Sequence, residues 1–182
     1  MAVAKVKVST LWLSGCAGCH MSLLDLDEAL VELLLDRIEI VKSPPLTDVK
    51  GHIQVDVGIV EGAVATEEDE EELRKFREKC KILVAIGDCA CFGGITSYRN
   101  LFDKEEILSR VYVGTESVVD GKVPRSKYVP PLLDKVKAVG NVVGVDAHIP
   151  GCPPSPKALL YAMKELLEGR IPILPSEMAS FE

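Results

Sequence analysis

No stretch of this 182-residue sequence stays apolar for the roughly 20 residues that a helix needs to cross a bilayer. Its longest candidate, ALVELLLDRIEI, is broken by charges. Nor does the N-terminal MAVAKVKVSTLWLSG offer the uninterrupted apolar run and small-residue cleavage site of a secretion signal, because Lys5 and Lys7 interrupt it. These absences argue against membrane insertion and predict a cytoplasmic protein. Basic residues are in deficit, 21 against 28 acidic ones for a net charge of -7, which argues against sequence-independent binding to a phosphate backbone. Nucleic acid is therefore not an expected partner. There is no internal repeat and no low-complexity linker, and at 47% hydrophobic the chain can bury one main core, so residues 1–182 are read as a single domain.

What the sequence does have is six cysteines. Without an export signal they read as metal ligands, catalytic thiols or core residues rather than as a disulfide framework. The surrounding pattern alternates strand and helix. VAKVKVSTLWL, Val3 to Leu13, predicts a first strand, and Ser22 to Asp36 a helix with Leu23, Leu26, Leu30 and Leu33 on one face and a Ser22–Asp25 capping box. RIEIVK and QVDVGIVEG predict two further strands, and Glu67 to Lys79 a helix that is acidic at its start and basic at its end. KILVAIG predicts a strand buried on both faces, NVVGVDAHIPG a fifth strand, and SPKALLYAMKELLEG a closing helix. Such alternation predicts an α/β fold: a parallel sheet covered by helices on both faces. The alternation lapses between about residues 93 and 140, where VVDGKV suggests a hairpin and VPPLLDKVKAVG a short helix with a proline start. A long excursion of this kind usually meets a ligand or a partner.

In a parallel sheet the loops beyond the strand C-terminal ends share one rim, where ligands collect. Cys16 and Cys19 follow the first strand, Cys89 and Cys91 the strand ending at Gly87, and Cys152 the strand ending near His148. Three cysteine loops are thus expected to meet. Cys80 continues the helical series Leu73, Phe76 and is expected in the core. Four thiolates from three loops could hold zinc or an iron-sulfur cluster, and ligands spread from Cys16 to Cys152 suit the cluster better than a compact zinc module. The competing chemistry is a thiol-disulfide oxidoreductase using Cys16 and Cys19 as a C-x-x-C pair at a helix start. That reading leaves the other loops unexplained.

CAGCHMS, GDCACFGG and PGCPPSP, in this order and after these strands, resemble the small subunit of nickel-iron hydrogenases over nearly the whole chain. GCHMSLLDLDE, together with SYRN after the second motif, looks most like the cytosolic NAD-reducing branch. The resemblance implies a flavodoxin-like domain in which Cys16, Cys19, Cys89 and Cys152 hold one 4Fe-4S cluster. It implies a nickel-iron centre in a large subunit, and a diaphorase module whose subunits carry flavin (FMN), further clusters and the NAD site. The small subunit would relay electrons between the two as part of an NAD-dependent hydrogenase. Another cytosolic nickel-iron hydrogenase branch is the alternative. No cysteine follows Cys152, so one cluster is the expectation for this sequence.

Cys91 departs from the pattern, which points to Cys89 as the ligand and leaves Cys91 as a packing residue or a substitute ligand. The related respiratory quinone-reductase subunit carries adjacent cysteines at the first motif, where this chain has Cys16-Ala17-Gly18-Cys19. Ser14-Gly15-Cys16 also occupies the place of a flavodoxin phosphate loop, so flavin bound in the usual way is not expected here. Glu61 is read either as a neighbour of the cluster or proton path or as a surface or turn-stabilising carboxylate, His20 either as hydrogen-bonding a sulfide or a partner or as a capping or interface residue, Asp88 as orienting its loop, and His148 as structural. The positive end of a helix starting near Ser22 is expected to face the cluster.

Overall fold

The computed structural model describes residues 5–178. In chain order the strands are β1 (Val6–Trp12), β2 (Ile38–Lys42), β3 (Val55–Glu61), β4 (Val64–Thr66), β5 (Cys80–Ile86), β6 (Leu132–Lys137) and β7 (Ala147–Ile149). The α-helices are α1 (Gly18–Leu24), α2 (Glu28–Asp36), α3 (Glu67–Arg77), α4 (Gly87–Phe92), α5 (Lys104–Tyr112) and α6 (Pro156–Leu167). Five strands form a parallel sheet in the order β2-β1-β3-β5-β7. Counting only these strands the order is 2-1-3-4-5, the doubly wound flavodoxin-like arrangement with its ligand crevice at the strand C-terminal ends. None of the described helices is long and apolar enough to cross a membrane.

Strand parity sorts the core into two layers. Val8, Val57, Ile59, Val84 and Ile86 pack with Leu23, Leu26, Leu30, Leu159 and Met163, so α1, α2 and α6 cover one face. Leu11, Val60, Leu83 and Ala85 pack with Leu73, Phe76 and Ala90, so α3 and α4 cover the other. Gly58 lies on that second face because a β-carbon there would strike the Cys80 thiol and Phe76. The interiors of β3 and β5 are buried on both sides, as continuous apolar runs require.

Several expectations need correction. The helix expected over Ser22 to Asp36 is two helices, broken where Asp27 takes a positive φ of 50°. Its first half begins at Gly18, and Ser22 caps nothing. The helix over Glu67 to Lys79 stops at Arg77, and Cys80 opens β5 rather than closing a helix. VPPLLDKVKAVG is not a helix. It supplies β6, antiparallel to β4, because the exposed edge of Val64–Thr66 gives it hydrogen-bonding partners that a short run of mixed periodicity accepts. VVDGKV forms no hairpin ladder, although Asp120 does adopt the positive φ of a turn, 54°. The fifth strand shrinks to three residues, with a 3-10 turn at Val139–Asn141 before it. The expected first strand begins at Val6 within the described residues, while Val3 and Ala4 lie outside them.

Candidate functional site

The first cysteine loop leaves β1 already pinned. Ser14 exchanges both backbone hydrogen bonds with Ala63, at 3.1 and 2.8 Å, and its hydroxyl donates to Asp69 at 2.8 Å. Asp69 is itself fixed in the capping box of α3. Gly62, at φ 85°, permits this close approach, since a β-carbon there would lie 2.7 Å from the Leu13 carbonyl carbon. Ala17 then turns the chain through the left-handed region, φ 65°, and α1 starts at once, so Cys19 sits inside its first turn. The helix end expected near Ser22 is one turn too late.

The second loop follows β5. Gly87 has φ 81°, and a β-carbon on it would overlap the Cys19 sulfur, so the loops of Cys19 and Cys89 press directly on each other. Cys89 lies in α4, and Gly94 packs so closely that a β-carbon would stand 2.9 Å from the Cys89 sulfur. The third loop follows β7. The Asp88 amide donates to the Gly151 carbonyl at 2.9 Å, and the Gly151 amide donates to the Asp88 carboxylate at 2.8 Å. The Ser22 hydroxyl donates to the Pro154 carbonyl at 2.6 Å. Asp88 therefore orients its loop as expected, and Cys152 is flanked by anchored residues on both sides.

All six cysteines are free thiols. Burial pushes the Cys19 thiol well above its ordinary range, and the negative charges of Glu61, Cys16, Cys89 and Cys152 push it further. Cys152 is raised by burial and then by Cys89, Asp88 and Cys16. The cysteines of three separate loops are thus electrostatic neighbours, as the rim argument predicts. Among the described residues no three His, Cys, Asp or Glu side chains converge as one metal ion would require. The donor set consists of thiols alone, which suits a cluster in which each iron takes a single thiolate.

Cys80 and Cys91 stand apart from this group. Cys80 is buried with its thiol donating to the Phe76 carbonyl at 3.1 Å, and burial pushes its pKa up to about 11. Cys91 turns into the layer beneath α4, where its thiol meets the Ala85 carbonyl at 3.5 Å. Burial, then the charge of Asp88, pushes Cys91 up to about 12.

Strand parity also carries Thr10 of β1 and Glu61 of β3 to the face beneath α1. His20, on that helix, is 2% exposed and Glu61 1%. The His20 amide donates to Glu61 Oε2 at 2.7 Å, and that oxygen lies 3.2 Å from His20 Nδ1. His20 Nε2 is hydrogen-bonded to Thr10 Oγ1 at 2.8 Å, and the Thr10 hydroxyl donates to Ser43 Oγ at 2.8 Å. Glu61 Oε1 and His20 Nδ1 have no hydrogen-bond partner. The sequence offered no signal for Thr10 or Ser43 beyond their polarity inside apolar runs. His148 lies on β7, exposed.

SYRN is mostly structural. Asn100 pairs with both the amide and the carbonyl of Val136, at 2.7 and 2.8 Å, and Arg99 donates to the Leu133 carbonyl at 2.9 Å, so the two side chains close the free edge of β6. Tyr98 is left outside, 64% exposed, in a cleft that it shares with Phe92, Ile95 and Cys152.

Residues 16–166 match the family described as NADH ubiquinone oxidoreductase, 20 Kd subunit. The chain belongs to that family. Within it, the chain is 39% identical to the NAD-reducing hydrogenase HoxS subunit delta of Cupriavidus necator, over 98% of this chain and 86% of that one. It is 43% identical to a subunit of the vhu F420-non-reducing hydrogenase of Methanocaldococcus jannaschii, over the whole of this chain, and it spans 63% of that relative's length. A chain in the crystal structure of an NAD+-reducing [NiFe]-hydrogenase in the H2-reduced state superposes with a TM-score of 0.92 at 34% identity, over 98% of this chain and all of that one. This member of the family is thus a small-subunit homologue of hydrogenases.

Proposed function

We propose that this chain is the electron-transfer small subunit of an NAD-reducing nickel-iron hydrogenase, holding one 4Fe-4S cluster on Cys16, Cys19, Cys89 and Cys152. The observation that carries the reading is the meeting of cysteines from three loops at the C-terminal rim of the sheet, with Cys80 and Cys91 turned into the core. A 4Fe-4S cluster, when bound, accepts and donates one electron at a time. The chain's own residues do the rest. The four thiolates would fix the group, and Gly87 and Gly94 leave room for the Cys19 and Cys89 sulfurs to approach the backbone. Asp88, Ser22 and Glu61 hold the ligand loops in place.

Water must also be kept from the site, and here the chain is incomplete by itself. Phe92, Ile95 and Tyr98 are each more than half exposed, in a cleft shared with a thiol, Cys152, that is exposed too. An apolar patch of this kind on a rim marks a protein interface. It suits a hydrogenase large subunit carrying the nickel-iron centre, which would cover the site and bring the two redox groups together. Electrons would then pass to diaphorase subunits with flavin and the NAD site.

A second reading rests on the 43% identity to the F420-non-reducing relative. Greater coverage of the NAD-reducing relative, together with the superposition on a NAD+-reducing enzyme, supports the first. Purification of the native complex distinguishes them. The proposal expects a nickel-bearing large chain and flavoprotein subunits to accompany this one, with hydrogen-dependent reduction of NAD. A nickel-bearing complex without NAD reduction would favour the second reading, and a chain purified without any nickel-bearing partner would overturn both.

A further inference from the structure

The helix that carries Cys19, and begins two residues beyond Cys16, cannot hold itself. α1 has seven residues, its Ala17 N-cap makes no side-chain bond, and its first turn holds no acid. Isolated helices become marginally stable only at about 12–15 residues. Two buried side chains in this helix provide what it lacks. Ser22, 3% exposed, donates at 2.6 Å to the carbonyl of Pro154, which lies 132 residues away along the chain and just beyond Cys152. His20 is tied to β1 through Thr10 at 2.8 Å and to β3 through the Glu61 carboxylate on its amide at 2.7 Å. One tether sets the helix against the Cys152 loop, and the other sets it against the sheet. Together they leave α1 no freedom to roll or slide.

We propose that Ser22 and His20 are positioning residues for the cluster site, fixing Cys16 and Cys19 relative to Cys152. This rests on the four-cysteine reading above. Both residues act through the ligands. Simple packing does not account for them, because a core position needs only shape. Apolar side chains of the same volume would avoid burying polar groups. A buried polar contact specifies one arrangement among several compact ones. At Ser22 that arrangement is the spacing between two ligand loops far apart in sequence.

The test uses the cluster-loaded chain in its native complex and the cluster-free chain. Ser22→Ala removes the bond to Pro154 and His20→Leu the ring's bond to Thr10, leaving the His20 amide on Glu61, while Ser22→Thr and His20→Gln retain a donor. For the first two variants we expect loss of iron to a chelator to quicken by roughly tenfold, the factor that about 1.4 kcal/mol represents. The resonance of the reduced cluster is expected to shift or broaden, and amide protection of α1 in the cluster-free chain to fall while that of β3 and β5 holds. Ser22→Thr and His20→Gln restore all three. Should His20→Leu fail to fold, Ser22→Ala, which removes one oxygen, carries the test. Wild-type iron retention and spectra in Ser22→Ala would overturn the proposal, as would equal damage from the polar and apolar replacements. A wild-type complex whose small subunit holds no iron and sulfide would defeat the four-cysteine reading as well.

Discussion

The cysteine rim and the excursion between residues 93 and 140 are held together by different forces. At the rim the chain is tied by short, largely buried bonds: Ser22 to Pro154, Asp88 to Gly151, and Glu61 to the His20 amide. The excursion is held at its surface, by Asn100 and Arg99 on β6 and by ion pairs such as Lys104–Asp134 and Lys137–Glu70. From Val113 to Pro131 it has no helix or ladder strand. Buried hydrogen bonds fix geometry and are screened little by salt, whereas exposed charge pairs contribute little and are screened. The rim is built to keep its atoms in place; the excursion can give way.

The largest effect expected is at the rim. Cys152→Ala should abolish iron binding, while Cys91→Ala and Cys80→Ala should keep it, which iron analysis of the three purified variants checks. Equal loss in all three would erase the distinction between rim and core thiols. Gly87→Ala comes next. It combines a φ of 81° with overlap of the Cys19 sulfur, so it should cost more than the roughly 1–2 kcal/mol that left-handed backbone alone imposes. Urea unfolding of the cluster-free chain measures that cost, and iron content should fall with it.

The excursion should respond more mildly and by itself. Asn100→Ala leaves the Val136 amide and carbonyl without their side-chain partner, at a cost of about 1–3 kcal/mol. Hydrogen exchange should show loosening over β6 with the rim still protected; spread of the loss to α1 would mean that the two regions are one cooperative unit. The smallest effect is acid sensitivity. Hydrogen bonds from Lys137, then Arg74, hold the Glu70 carboxyl below its ordinary 4.5. A carboxylate lowered in the folded state contributes fully above 4.5, and that contribution disappears as pH falls through the folded value. Protection of β6 amides, taken relative to the intrinsic exchange rate at each pH, should therefore fall on acidification below that point before protection of β3 does.

How much of this was legible beforehand follows from the same contrast. Continuous apolar runs such as KILVAIG and the alternation of strand and helix disclosed the parallel sheet, and a parallel sheet dictates where its loops gather. That logic separated Cys89 and Cys152 from Cys80. It misplaced Cys80 in a helix because the apolar series Leu73, Phe76, Cys80 runs on past the point where Arg77 ends α3. The bonds that align the loops were not legible, since Ser22 and Pro154 lie 132 residues apart and nothing in either segment names the other. Ser22 looked like a helix cap because its local pattern fits one. The excursion misled for a different reason: β6 exists only because β4 and Asn100 offer it partners, and a short run of mixed periodicity follows its context.

The central claim is that four thiols from three loops form one cluster site, and anaerobic analysis of iron, acid-labile sulfide and zinc in the purified chain tests it most directly. The account predicts a brown protein with about four irons and four sulfides per chain, as a cubane cluster on four cysteines requires. Zinc without sulfide, or a colourless protein whose only chemistry resides in Cys16 and Cys19, would contradict it.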